Sequence, residues 1–226
     1  MPHSSAGIAR EASVLYHAAA GGVAEHPLNF REFGLSKRSF LFRREPSWFS
    51  AHRGVSVTVD PSVRSWLFEA GSLTARLRAA CGPGFGVRVL RQCWDRPWAD
   101  ESRALGLALR RHALVREVVL HCDGRPLVLA RSVIPPDALR GVQCRLAHLG
   151  ERPLGELLFA YWKLRRESLE LTRIGMADWR DAGDVGAEPA DEVWGRRSLY
   201  TVARGHVLVC EFFLPAVLSL PENWNE

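Results

Sequence analysis

Ala113-Leu-Val-Arg-Glu-Val-Val-Leu-His-Cys-Asp-Gly-Arg-Pro-Leu-Val-Leu-Ala-Arg-Ser132 is two apolar runs on either side of Asp123-Gly124. That dipeptide accepts the positive φ angles that a two-residue hairpin turn demands. The stretch therefore predicts antiparallel strands over Leu114–Cys122 and Leu127–Ser132. Strand side chains alternate between faces, which puts Arg116 with Leu114, Val118 and Leu120. A second apolar run, His206-Val-Leu-Val-Cys-Glu-Phe-Phe-Leu-Pro215, likewise puts Glu211 with Val207, Val209 and Phe213. A charge on such a face is costly unless something pairs with it. Two readings follow: Arg116 pairs with Glu117 or Glu211 or each face is partly wet, or the two faces line a closed pocket for a small anion.

Working outward, Phe85–Cys93 alternates and reads as a strand, as does Arg166–Ile174. Arg196–Ala203 and His206–Phe213 form a second hairpin about Arg204-Gly205. Asp60 caps a helix that opens on Pro61, with Val63, Trp66, Leu67 and Ala70 at helical spacing. Gly71 breaks it before a second helix begins at Ser72. Ser102–Arg111 reads as a short helix or turn, and Pro136–Leu149 as partly helical. Pro153 opens a helix over Leu154–Trp162, and Gly175–Glu192 reads as an exposed loop. The sum is an α+β domain: about six antiparallel strands, helices on one side, and a ligand cavity enclosed between them. Residues 1–50 are poorly patterned and read as an extension to a domain over 51–226.

The chain has 226 residues, 47% hydrophobic and 24% charged, enough for one substantial core. Its net charge of +5 is almost all arginine, since Lys37 and Lys163 are the only lysines. The arginines are dispersed, with no aromatic-plus-basic strand motif, so nucleic acid is not expected as a partner. Five cysteines without a Cys-x-x-Cys pair make neither a disulfide framework nor a zinc site. The eight histidines are scattered without metal-ligand spacing. No metal or organic cofactor, a reducing cytoplasmic location, no membrane span and a monomer are the expectations. Gly82-Pro-Gly-Phe-Gly86 precedes a strand rather than joining a strand to a helix, so it is not a phosphate loop.

Four segments, in order, carry a family likeness. They are Val115–Pro135, Leu149-Gly-Glu-Arg-Pro-Leu-Gly-Glu-Leu-Leu-Phe159, Trp194-Gly-Arg-Arg-Ser198 and Cys210-Glu-Phe-Phe-Leu-Pro215. Together they resemble the chorismate lyase family over about 56–216. The resemblance implies a six-stranded antiparallel sheet flanked by helices and a cofactor-independent conversion of chorismate to 4-hydroxybenzoate and pyruvate, the entry step of ubiquinone synthesis. It implies that Arg116 binds the ring carboxylate and that Glu211 lies at the ring-hydroxyl end. It gives Leu73 and Leu154 backbone contacts to the carboxylate and puts Arg131 near the site. Leu73 replaces a familiar methionine, which a backbone contact tolerates. The 175–193 loop is longer than the family leads one to expect.

Chorismate carries two carboxylates, so a second cation should meet the enolpyruvyl group, and Arg131 is the candidate. Glu211 either accepts a hydrogen bond from the hydroxyl or moves a proton. Arg131 in a structural ion pair is the competing reading. Trp94 and Trp98 are read as packing rather than as a gate, and Arg196-Arg197 as a solvated hairpin end, with contact to substrate as the alternative. A non-catalytic sensing domain of the same fold is the alternative function. It would normally follow a DNA-binding helix-turn-helix, whose pattern residues 1–44 lack.

Overall fold

The computed structural model describes residues 39, 41–51, 59–139, 149–161, 163–175, 178–179, 191–202 and 205–220. All fall within one compact unit, Lys37–Glu226. Most of the expected 1–50 extension, the far part of Pro136–Leu149, most of the 175–193 loop and the Arg204 turn lie outside them.

The strands are β1 (Phe49–Ser50), β2 (Phe85–Asp95), β3 (Ala113–Cys122), β4 (Arg125–Ile134), β5 (Arg165–Gly175), β6 (Glu192–Val202) and β7 (Gly205–Phe213). They form one sheet in the order β1-β5-β6-β7-β4-β3-β2, and every pairing is antiparallel. The count is seven, not six. The extra strand, β1, has two residues paired with Leu171 and Glu170 of β5, too short to show a sequence period. In the β3–β4 turn Asp123 and Gly124 take φ of 49° and 82°, as the dipeptide predicted.

The α-helices are α1 (Pro61–Leu67), α2 (Leu73–Cys81), α3 (Ala99–Ala104), α4 (Leu154–Phe159) and α5 (Pro215–Leu218), with short 3-10 turns at Gly82–Gly84 and Pro136–Leu139. Asp60 caps α1 by accepting from the Ser62 N–H at 2.8 Å, and Ser72 caps α2 by accepting from Ala75. Register sorts the strand residues into two faces. Arg116, Val118, Ala130, Ser132, Val209 and Glu211 occupy one, and α1, α2, α4 and α5 cover its apolar part. Val119, Leu129, Cys210 and Phe212 occupy the other.

The far face is not bare, as helices on one side would leave it. Leu41, Phe42, Trp98, Leu105 and Trp179 bury it, with Phe42 4.5 Å from Phe212 between ring centres. Trp98 precedes α3, so α3 stands opposite the other helices. Trp98 is buried, as the packing reading required, while Trp94 is half exposed. Packing also reaches N-terminal of residue 51, since Leu41 and Phe42 are core residues.

Candidate active site

The helix-covered face holds a pocket lined by Leu73, Thr74, Arg116, Ser132, Leu154, Tyr200 and Glu211, with Val118, Ala130, Val209 and Leu158 supplying apolar wall. Arg116 comes from β3 and Glu211 from β7, with β4 between them. Arg116 is opposite Ser132, whereas Glu211 is opposite Ala130 two residues along. Two strand spacings and two residues separate their Cα atoms by about 12 Å. The pair thus stands at two ends of one pocket, not in mutual contact.

Arg116 is 2% exposed. Its Nη1 donates to Gln92 Oε1 at 2.6 Å and its Nη2 to the Arg152 carbonyl at 3.2 Å. Both acceptors are neutral, and among the described residues no carboxylate pairs with it. Burial pulls the guanidinium below the usual arginine range. A buried cation without an anionic partner is the unpaired charge that apolar surroundings penalise most. It favours a ligand that brings the missing anion.

Leu73 and Leu154 are the first residues of α2 and α4. First-turn N–H groups have no partner within their own helix and point outward with the positive end of the dipole. Both leucines line the same pocket as Arg116. The two helix starts lie very close: a Cβ built on Gly155 would sit 2.6 Å from Thr74 Oγ1. Any larger residue at 155 would force Thr74 or one of the helix starts to shift.

Glu211 is bound from behind by Arg196, which is buried rather than a solvated hairpin end. Arg196 faces Glu211 across β6–β7, is 1% exposed, and donates from Nε to Glu211 Oε2 at 2.5 Å. The sequence reading started this strand at Arg196, which made it a hairpin end. The strand starts at Glu192, so Arg196 and Arg197 are central in it and buried.

Arg131 does not join this group. It pairs in register with Glu117 on the far face and is 1% exposed. Its Nε and Nη2 donate to the Glu101 carboxylate at 2.6 and 2.9 Å, and its Nη1 to Glu117 Oε1 at 2.8 Å. Burial alone would depress it, but Glu101 and then Glu117 hold it above the ordinary arginine value. Arg197, also on that face, is held by Glu170 and Asp100. Arg131 thus fills the competing role weighed for it, a structural ion cluster. Among the described pocket-lining residues Arg116 is the one cation. Among the described residues no His, Cys, Asp and Glu cluster could hold a metal, and no helix is long and apolar enough to cross a membrane.

Residues 47–220 match the family described as chorismate lyase. A Methylococcus capsulatus protein named "Probable chorismate pyruvate-lyase" is 55% identical over 161 residues, covering 71% of this chain and 99% of its own. An Azoarcus protein of the same name is 46% identical over 174 residues, covering 74% and 90%. A GntR-family transcriptional regulator structure from Bacillus cereus aligns at a TM-score of 0.46 with 9% identity, over 59% of this chain and 93% of its own, a likeness too weak to argue from. A match over most of the sequence, with near-complete coverage of a relative at 55% identity, makes this chain a member of the chorismate lyase family.

Proposed function

We propose that the protein converts chorismate to 4-hydroxybenzoate and pyruvate without a metal or organic cofactor, at the entry to ubiquinone synthesis. The observation that carries this reading is Arg116, a buried cation with only neutral partners, at one end of a pocket whose other end holds Glu211. The guanidinium fork fits the ring carboxylate. The N–H groups of Leu73 and Leu154 add two neutral donors to the same anion. Glu211 meets the ring hydroxyl at the far end.

Held so, the substrate loses the hydrogen on the carbon bearing the hydroxyl, and the bond from the neighbouring ring carbon to the ether oxygen breaks. Its electron pair leaves on oxygen, the enolpyruvate is protonated to pyruvate, and the ring becomes aromatic. Aromaticity supplies the driving force, so the protein's task is to hold one conformer and exclude water. Arg131 takes no part in this scheme, because its donors are occupied on the opposite face. Leu158, Phe159 and Tyr200 would close the pocket into the enclosed cavity that the reaction requires. The proposal includes a monomer acting in the cytoplasm.

Incubation with chorismate tests the reading. The expected outcome is 4-hydroxybenzoate and pyruvate in equal amounts, the first by chromatography and the second by a coupled reduction. Binding of chorismate without either product would favour a sensing domain and overturn the proposal.

A further inference from the structure

Arg196 is tied on two sides. Its Nε holds Glu211 Oε2 at 2.5 Å. Its Nη1 donates to the carbonyls of Trp66 at 3.0 Å, Leu67 at 3.4 Å and Glu69 at 2.9 Å, at the end of α1. That segment is itself pinned. Arg76 donates to the Ser65 carbonyl at 2.7 Å and stacks 3.5 Å over Trp66, and Arg166 donates to the Glu69 carbonyl at 2.9 Å. A guanidinium fixed by backbone carbonyls cannot follow a moving carboxylate, so it dictates where that carboxylate sits. Arg196 is not itself a pocket wall, whereas Glu211 is. With Oε2 bound, Oε1 carries no hydrogen bond among the described residues.

We infer that Arg196 is a positioning residue. Anchored to the end of α1, it holds Glu211 Oε2 and thereby presents Oε1 to the pocket as the acceptor for the hydroxyl of a para-hydroxylated benzoate-like ligand. This rests on the function proposed above and deepens it. Selection for the hydroxyl is set by a residue that the ligand never touches. Lysine cannot replace it, because a single ammonium lacks the planar fork that serves the carboxylate and the carbonyls together.

The test compares binding of 4-hydroxybenzoate and benzoate, which share the carboxylate and differ in the hydroxyl, by titration calorimetry. The wild type should prefer 4-hydroxybenzoate by about tenfold or more, the scale of one hydrogen bond to a charged acceptor. In Arg196→Gln and Arg196→Lys that ratio should fall toward one, while benzoate affinity stays within about threefold of wild type. Glu211→Gln should lower the ratio too, and Arg196→Gln/Glu211→Gln should lower it no further than either single change, because one residue acts through the other. If Arg196→Gln does not fold, Arg196→Lys decides. Equal weakening of both acids with the ratio intact would make Arg196 a structural tie only and overturn the inference. A wild type that binds both acids equally would overturn it as well, leaving the proposed reaction standing. A wild type that binds neither would overturn both.

Discussion

Arg116 and Arg131 lie on neighbouring strands and are buried to the same degree, yet they differ in charge balance. Arg131 meets two carboxylates and Arg116 meets a side-chain amide oxygen and a backbone carbonyl. The same residue type thus sits in a carboxylate cluster on one face and has only neutral partners on the other. Arg131→Met should cost about 3–5 kcal/mol of unfolding free energy, because it strands Glu101 and Glu117 as buried, uncompensated carboxylates. Folded Arg131→Met should still bind 4-hydroxybenzoate with a Kd within about threefold of wild type. Urea unfolding and titration calorimetry check the two halves separately. A large loss of affinity without loss of stability would return Arg131 to the site.

At the scale of elements, strand register sets Arg131 apart from Arg116. The Asp123-Gly124 turn pairs Cys122 with Arg125. Continued without a break, that register sets Arg116 opposite Arg131, on one face. The strands instead slip by one residue between Leu120 and His121, so Arg116 meets Ser132 and Glu117 meets Arg131. A slip of one residue transfers a side chain to the other face. Nothing in the local pattern marks this bulge, whereas the alternation that exposed Arg116 and Glu211 is local and was legible. The six longer strands were legible for the same reason. The start of β6 was not: its first residues, Glu-Val-Trp-Gly, carry a charge and a glycine that read as loop. Leu73 and Leu154 were placed by resemblance alone, since apolar residues that act through backbone N–H groups leave no chemical signature. The closeness of their helices makes a prediction. Gly155→Ala should cost about 1–3 kcal/mol as the new Cβ meets Thr74 Oγ1. It should also weaken 4-hydroxybenzoate binding by parting the two helix starts. Adding Thr74→Ala should recover part of both, as read by thermal unfolding and calorimetry. An unchanged affinity in Gly155→Ala would mean that the spacing of α2 and α4 does not set the carboxylate site.

For the whole molecule, a buried cation with only neutral partners is a standing cost. Burial lowers the Arg116 pKa, so the folded protein holds that proton less tightly than the unfolded chain. For a cation with a lowered folded value, the cost is fully present at every pH below that value, neutral pH included. The fold covers this deficit with the apolar cores on either side of the sheet. Arg116→Met keeps the apolar bulk and removes the charge. It should therefore stabilise the empty protein by about 0.5–2 kcal/mol, as substitutions that relieve a functional site commonly do. Ligand linkage should move the other way. In the wild type, 4-hydroxybenzoate at a hundred times its Kd should add about 2.7 kcal/mol by mass action. Arg116→Met should lose nearly all of that gain, because truncating a buried charged partner costs about 2–5 kcal/mol of binding. Thermal unfolding with and without the acid reads both effects in one experiment. A variant less stable than wild type when empty would mean that Gln92 and the Arg152 carbonyl already satisfy the cation, and Arg116 would then be a structural residue rather than the anchor of an anionic substrate.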